Sequence, residues 1–257
     1  MSDHKVEIVD WFAQREEGSY RDEARNILDS YAHPWDILAE LAQNAVDAID
    51  QKRSELGTQL EGAIEIEIDT VARSVRVRDN GVGIGDGDLK RVLHPHFSRK
   101  RGRSLRGEKG VGLTYIALTG NRFEIVTKTS GVTRQLTVTG SQDWMCERGD
   151  RPQLRIEPAK DDSQKESSYT NVTVAEIPKP AVESDDIDIF SLSFQQLEYL
   201  LRTRTAIGWT GALFRQPVPA QTNVQLIVRK KNAEAESRLI DFSYASPETR
   251  LPKKMQW

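Results

Sequence analysis

The sequence predicts an α/β fold, in which helices pack against a sheet of short strands. Apolar residues recur at helical spacing along 35–56, a segment that stops near Gly57. In later segments apolar residues alternate with polar ones, which is the pattern of strands with one buried face. These segments are 63–71, with a hairpin partner at 74–78, and then 123–129, 132–139, 152–157 and 171–177.

The segments before and between these strands favour further helices. Residues 5–32 place apolar side chains three and four apart, and Pro34 ends that run because proline disfavours helix in the preceding residue. A short helix is expected at 87–93, before a basic loop at 94–110, and a further helix at 111–120.

An acidic stretch with prolines, 178–188, is the best candidate for a domain boundary. After it, 192–204 has a helical pattern, and 225–229 with 238–242 favours a hairpin. We therefore expect an N-terminal helical extension, a main domain, and a C-terminal helix and hairpin that begin a second α+β region. Their expected bounds are 1–34, 35–180 and 190–257. The last residues lack the tail of a finished domain, which favours a fragment of a longer protein.

Composition excludes several classes of protein. The 257 residues carry a net charge of −3, so no global field favours nucleic acid. No apolar run approaches the roughly 20 residues of a membrane span, and the first residues do not resemble a signal peptide. The single cysteine, Cys146, excludes an internal disulfide. A cytoplasmic location fits these features.

Three polar residues share one stripe of the otherwise apolar helix at 35–56. Glu40, Asn44 and Asp47 are spaced i, i+4 and i+7, so at helical pitch they project in nearly the same direction. Two acids and an amide at the edge of a core need compensation. A bound metal–nucleotide is the interpretation that this pattern favours.

A glycine-rich turn, 79–85, follows the second strand. Alternate glycines allow close approach of the backbone to a ligand, and the Asp79 carboxylate can accept a hydrogen bond from the exocyclic amine of an adenine. An ordinary hairpin turn is the simpler alternative. A calcium loop is disfavoured because the twelve-position pattern that ends in glutamate is missing.

A second glycine-rich loop, 107–114, joins the basic loop to a helix. Its main-chain N–H groups and the positive end of the helix dipole suit a phosphate, although it matches neither the Walker A nor the dinucleotide pattern. A plain helix-entry loop remains an alternative. The basic loop holds six Lys or Arg against one Glu, which suits a triphosphate. A solvated loop, a nucleic-acid contact or a His94-x-His96 metal pair are other interpretations.

Taken together, these motifs resemble those of the GHKL ATPase superfamily, which includes gyrase B subunits, large heat-shock chaperones, sensor histidine kinases and MutL-type proteins. The first box matches at 40–48, the second at 79–83 and the third at 107–112. The final element, a Gly-Thr before a strand, falls at Tyr169-Thr170, where tyrosine replaces glycine. The resemblance covers about 35–177. It implies the Bergerat ATP-binding fold, a two-layer sandwich of a mixed, mostly antiparallel sheet with helices on one face.

The resemblance also implies ATP and Mg²⁺ as ligands and a role for each motif residue. Asn44 would coordinate Mg²⁺, Glu40 would activate the attacking water, and Asp79 with Thr170 would hold the adenine amine. The other residues would form the pocket wall, make room for the base or contact the phosphates, partly from a lid at 94–110. These are Asp47, Gly81, Gly83, Ile84, Ser98, Lys100, Lys109, Gly110, Val111, Gly112 and Leu113.

The resemblance favours an ATP hydrolase that cycles through an ATP-dependent homodimer. A histidine-kinase-like phosphotransferase is the alternative; kinases usually carry an amide at the position of Glu40, and no phosphoacceptor hairpin is visible here. A nucleotide-sensing module with little turnover is a third interpretation. A protein client or DNA are further partners that the superfamily allows. Related ATPases complete the site with a basic residue from a following domain, for which Arg229, Lys230 and Lys231 are candidates.

Overall fold

The computed structural model describes residues 6–9, 17–56, 60–95, 110–160, 167–180, 187–208 and 222–240. The strands in these ranges are β1 (Glu7–Val9), β2 (Gly62–Asp69), β3 (Ser74–Asp79), β4 (Arg122–Thr129), β5 (Val132–Thr139), β6 (Leu154–Pro158), β7 (Tyr169–Ala175), β8 (Thr222–Arg229) and β9 (Glu236–Ile240). The helices are α1 (Glu17–Asp29), α2 (Asp36–Leu56), α3 (Asp86–Leu89), α4 (Gly112–Thr119), α5 (Ser141–Met145) and α6 (Phe194–Arg204), with a 3₁₀ turn at Ile189–Ser191.

All nine strands lie in one sheet, in the order β1-β6-β5-β4-β7-β3-β2-β8-β9. Neighbouring strands are antiparallel, except that β2 and β8 run parallel. The predicted class, a mixed and mostly antiparallel sheet with helices on one face, is confirmed. In the described part of the chain, no helix combines the length and hydropathy needed to cross a membrane.

The two faces of the sheet differ because strand side chains alternate. On β2, Ile64, Ile66 and Ile68 are almost fully buried beneath the helices. On the opposite face, Arg76 of β3 donates to the carboxylates of Glu65 and Glu67. The helices therefore cover the apolar face and leave a charged face behind.

Helix α2 is the central helix of this layer and packs against β3. Its beginning is fixed by Asp36, whose carboxylate accepts a hydrogen bond from the main-chain N–H of His33 at 2.9 Å. The bounds match the predicted helix at 35–56 almost residue for residue. Its apolar side is buried over the first two thirds of the helix, at Ile37, Leu38, Leu41, Ala42, Ala45, Val46 and Ile49.

The prediction of one helix over 5–32 is wrong at its beginning. Helix α1 begins at Glu17, whereas Glu7–Val9 forms an edge strand that pairs antiparallel with β6. Apolar spacing in so short a segment fits a strand as well as a helix, and the exposed backbone edge of β6 favours the strand. The short helix expected at 87–93 covers only Asp86–Leu89.

The predicted C-terminal helix and hairpin are confirmed as α6 and β8–β9. Helix α6 begins with a capping box, in which the Ser193 and Gln196 side chains each bond the other residue's main-chain N–H. The hairpin extends the sheet of the main domain, since β8 pairs with β2 from Gly62–Thr222 to Asp69–Arg229. The expected division of the chain into three parts stays a prediction.

A paired arginine ties this C-terminal region to the turn between β2 and β3. The Arg73 guanidinium donates to both carboxylate oxygens of Asp188, at 2.8 and 3.1 Å, and to the carbonyl of Ile177 at 2.7 Å. It also lies 4.5 Å from the centre of the Phe190 ring. Burial raises the pKa of Asp188, but the bonds from Arg73 outweigh it, so the net shift is downward.

Candidate functional site

The polar stripe of α2 forms one wall of the candidate site. Asp47 is buried, and its carboxylate accepts a hydrogen bond from the Gln43 side chain at 2.9 Å. Glu40 and Asn44 are half-buried. The Asn44 amide nitrogen is inaccessible to solvent, yet it has no hydrogen-bond partner among the described residues. A buried amide nitrogen needs a hydrogen-bond acceptor, and a bound ligand can supply one at this position.

The glycine-rich turn after β3 packs against the same helix. The buried Asp79 carboxylate accepts a hydrogen bond from the Gly81 N–H at 2.8 Å, and the Val82 N–H donates to the Ala48 carbonyl at 3.2 Å. A Cβ atom at Gly81 would overlap Ala48. The turn can therefore reach α2, one residue beyond Asp47, only because position 81 is glycine.

Gly83 holds the turn close to β4. Its φ of +73° is in the left-handed region, and a Cβ atom there would overlap the main-chain carbonyl oxygen of Lys128. The next residue, Ile84, donates its main-chain N–H to the Thr127 hydroxyl at 2.9 Å. Any other residue at position 83 would be strained at this φ and would overlap the Lys128 carbonyl, so glycine is required there.

Asp79, Thr127 and Thr170 lie together on the helix-covered face, and we call them the Asp79 cluster. Thr170 is opposite Asp79 in the register of β3 and β7, and opposite Thr127 in that of β4 and β7. The Thr127 hydroxyl donates to the Tyr169 carbonyl at 2.9 Å and lies 3.4 Å from the Thr170 hydroxyl. All three side chains are buried. The structure thus brings the predicted pair Asp79 and Thr170 together.

The sequence did not single out Thr127, Lys52 or Ser168, although all three hold this cluster or its turn. The Lys52 ammonium donates to the Asn80 carbonyl at 2.7 Å, and the Ser168 hydroxyl donates to the Gly81 carbonyl at 2.6 Å. Ser168 is buried although it ends a polar segment, 160–168, whose composition is typical of a solvated loop. The sequence does offer one signal for Thr127: it is a polar residue at a position of β4 whose side chain faces the helices.

The other end of the stripe meets the beginning of α4. The Tyr31 hydroxyl donates to Oε1 of Glu40 at 3.0 Å, and the Tyr31 ring stacks on Tyr115 with centroids 3.7 Å apart and planes 13° apart. A Cβ atom at Gly112, the first residue of α4, would overlap Oε2 of Glu40. Tyr31, Glu40, Gly112 and Tyr115 form what we call the Glu40 cluster.

Burial and the nearby Glu40 carboxylate both raise the pKa of Tyr31 well above its ordinary value. Burial also raises the pKa of Tyr115 to about 12, with a further contribution from Asp36. Both phenols are therefore neutral at any working pH, and Tyr31 can act only as a neutral donor towards Glu40.

The start of α4 has the features expected of a phosphate loop. Gly110 has a φ of +67°, and no side chain caps the helix at Val111. The first N–H groups of a helix and the positive end of its dipole favour an anion at this position. The Thr114 hydroxyl donates to the Leu93 carbonyl at 2.9 Å, which ties α4 to the chain just before the basic loop.

The remaining predicted residues fall into two groups. The main-chain N–H of Ile84 donates to Thr127 of the Asp79 cluster, and Val111 and Leu113 flank Gly112 at the start of α4. Ser98, Lys100, Lys109 and His96 lie outside the described residues, as does most of the predicted lid.

Arg229, at the end of β8, is not beside this site. Arg229 pairs with Asp69, whereas Asp79 pairs with Ile64, so Arg229 lies about 16 Å further along the sheet. Its guanidinium binds Glu67 on the charged face, and Lys230 and Lys231 follow it in an exposed turn. Arg229 therefore does not complete the site of its own chain.

A mixed sheet with one polar helix stripe between two glycine loops defines a nucleotide-binding α/β domain. Residues 31–170, more than half of the chain, match the model of the family described as "Histidine kinase-, DNA gyrase B-, and HSP90-like ATPase". The chain belongs to this family. The suspected superfamily is confirmed, and with it an ATP-binding domain.

The chain is also similar to bacterial proteins named "Chaperone protein HtpG". It is 30% identical to that of Mycolicibacterium vanbaalenii over 146 residues, which are 46% of this chain and 22% of the relative. It is 28% identical to that of Salinispora tropica over 195 residues, 62% of this chain and 31% of the relative. It is 26% identical to that of Nocardia farcinica over 210 residues, which are 70% of this chain and 29% of the relative. The matches thus span less than a third of each relative.

Proposed function

We propose that the protein binds ATP with Mg²⁺ along the polar stripe of α2 and hydrolyses it with Glu40 as general base. One observation carries this proposal: the stripe of α2 joins the Asp79 cluster at one end to the Glu40 cluster at the other. Glu40 and Ala48, which contact the two glycine loops, are eight residues apart, or about 12 Å along the helix. A nucleoside triphosphate can bridge that span with its base at Asp79.

The Asp79 cluster supports an adenine base. A buried carboxylate accepts a hydrogen bond from an exocyclic amine, and Thr170 places a hydroxyl beside it. A guanine would present a carbonyl oxygen at the position of the amine, and that oxygen cannot donate a hydrogen bond to the carboxylate and would be repelled by it. A site built around such a bond discriminates strongly against the wrong base.

The residues at the phosphate end fit a magnesium ion. Mg²⁺ keeps several waters and takes only one or two protein ligands beside the phosphates. Asn44 offers one amide oxygen as such a ligand, and its nitrogen has no partner among the described residues. No group of three His, Cys, Asp or Glu side chains with metal-binding geometry is found in the described ranges. When bound, the ion would neutralise phosphate charge.

Glu40 supports hydrolysis over phosphate transfer to the protein. It lies one helical turn before Asn44, and its carboxylate is close to the start of α4, where the terminal phosphate would lie. A carboxylate there can accept a proton from water, which an amide cannot. Gly112 provides the space that the carboxylate needs.

We further propose that ATP drives a conformational cycle through homodimerisation, in the cytoplasm, and that this domain is the N-terminal module of a larger protein. The relatives are named chaperones and are more than three times as long as the matched segments, which supports both a longer protein and a protein client. The net charge of −3 gives no support to a DNA partner.

The test is to measure ATP turnover, ATP affinity and transfer of radiolabelled phosphate for the wild type and Glu40→Ala. We expect kcat to fall by about 100-fold or more, with ATP affinity close to that of the wild type. Glu55→Ala, at the far end of α2, is the matched control and should turn over normally. Stable labelling of the protein would instead support a phosphotransferase, and ATP binding without turnover in the wild type would support a nucleotide-sensing module.

A further inference from the structure

Tyr31 approaches Glu40 from outside α2. It lies between the end of α1 and the start of α2, and its hydroxyl donates to Oε1 of Glu40 at 3.0 Å. The other oxygen, Oε2, is the one that faces Gly112 at the start of α4. The two carboxylate oxygens therefore have different surroundings, one on a phenol and one at the phosphate loop.

The Tyr31 ring is itself held in place. It stacks nearly parallel on Tyr115, whose side chain is buried in the first turns of α4. The stack joins the residue that contacts Glu40 to the helix whose first residues form the phosphate loop. A displacement of α4 would therefore move the hydroxyl that holds Glu40.

We propose that Tyr31 is a positioning residue for ATP hydrolysis, which fixes the Glu40 carboxylate so that Oε2 faces the attacking water beside Gly112. This inference rests on the proposed function. A free glutamate side chain has three rotatable bonds, and only a few of its conformers place an oxygen at the start of α4. A hydrogen bond to Oε1 selects among them without occupying Oε2. In addition, the raised pKa of Tyr31 keeps its phenol protonated and able to donate.

Tyr31 does not serve as the base in this scheme. A neutral phenol at working pH has no lone pair basic enough to remove a proton from water, whereas the carboxylate does. The proton goes from water to Glu40, the new P–O bond forms, and the bond from the terminal phosphate to ADP breaks. Tyr31 keeps its hydrogen throughout.

The experiment compares Tyr31→Phe with Tyr199→Phe in the full chain. Tyr31→Phe keeps the aromatic stack on Tyr115 but removes the hydroxyl bonded to Glu40, whereas Tyr199→Phe removes a hydroxyl from an exposed side chain of α6. We expect Tyr31→Phe to lower kcat by about tenfold and to leave the ATP affinity unchanged, because the lost group acts on Glu40 and not on the nucleotide. Tyr199→Phe should keep wild-type kcat.

A second measurement separates positioning from a general structural role. In the Glu40→Ala background, adding Tyr31→Phe should lower residual turnover no further. Thermal unfolding can be compared for the wild type, the two single variants and the double variant, all without ATP. The effects of Tyr31→Phe and Glu40→Ala on stability should not be additive, and this measurement does not depend on turnover. If Tyr31→Phe retains wild-type kcat, or if its effect persists fully in the absence of Glu40, the positioning role is wrong.

These outcomes keep the two proposals apart. Turnover that is lost in Glu40→Ala but normal in Tyr31→Phe overturns only the role of Tyr31. Turnover that stays at the wild-type rate in Glu40→Ala overturns the role of Glu40 as general base, and turnover that is absent from the wild type overturns the proposed hydrolysis. Either outcome also removes the role of Tyr31.

Discussion

The two ends of the α2 stripe differ in how complete they are without a ligand. In the Asp79 cluster the side chains are buried and bonded within the protein, and Lys52 and Ser168 hold the turn above it. At the other end Glu40 and Asn44 are half-buried, and the Asn44 amide nitrogen has no partner among the described residues.

If ATP binds as proposed, the end of the site that holds the base is already formed in the folded protein, whereas the phosphate end is completed by the ligand. A preformed cluster lowers the cost of ordering on binding. Buried polar groups without a partner lower the stability of the free protein, and hydrogen bonds to a bound ligand offset that loss. Substitutions at the two ends should therefore differ in their effect on the free energy of unfolding of the ligand-free protein.

The largest effect is expected for Gly83→Ala. A methyl group there overlaps the Lys128 carbonyl and must adopt a φ of +73°, so the free energy of unfolding should fall by about 2–4 kcal/mol. Chemical denaturation of the ligand-free protein measures it. Gly87→Ala is the matched control, since position 87 lies inside α3 and has open space for a methyl group; it should be neutral or slightly stabilising.

An intermediate effect is expected for Thr127→Val, which keeps the side-chain shape but removes the hydroxyl. The Ile84 N–H and the Tyr169 carbonyl each lose a partner, which should cost about 1–3 kcal/mol in the same denaturation experiment. Thr173→Val, on the opposite face of β7, should change stability by less than about 0.5 kcal/mol. Equal losses in the two variants would contradict a special role for Thr127.

The smallest effect on stability is expected for Asn44→Ala. Its amide nitrogen has no bond to lose within the described chain, and alanine favours helix, so unfolding should change by less than about 0.5 kcal/mol. The dependence of ATP affinity on Mg²⁺, followed by titration, should nevertheless disappear.

Asn80→Ala provides the matched comparison for Asn44. The Asn80 side chain accepts from the Ala63 N–H and donates to the Glu61 carbonyl, at 2.9 and 3.0 Å. Its loss should cost about 1–3 kcal/mol. If Asn44→Ala destabilises the free protein as much as Asn80→Ala does, the contrast between the two ends does not hold.

Local patterns predicted most of the helices, most of the strands and the main motif residues. Helix α2 has a long, regular apolar period, which is why its bounds were predicted within a residue. The pair Asp79 and Thr170 came from the family motifs, and the register of β3 and β7 brings them together. Short segments did less well, and Glu7–Val9 is a strand because β6 offers it an edge.

The bonds that hold the site were not predictable in the same way. Thr127 meets Ile84 across 43 positions of sequence, and Lys52 meets Asn80 across 28. Tyr31 is only nine positions from Glu40, but the turn between α1 and α2 decides where it points. No periodicity along the chain encodes such contacts.

The sequence by itself determined the class of fold, the stripe of Glu40, Asn44 and Asp47, and the glycine loops, because these depend on spacing and on the backbone freedom of glycine. Only the tertiary structure decided the strand order and the placing of the C-terminal hairpin beside β2. It also decided that Tyr31 bonds Glu40 and that Thr127 supports Thr170. These features depend on contacts between elements, which form only when the helices pack on the sheet.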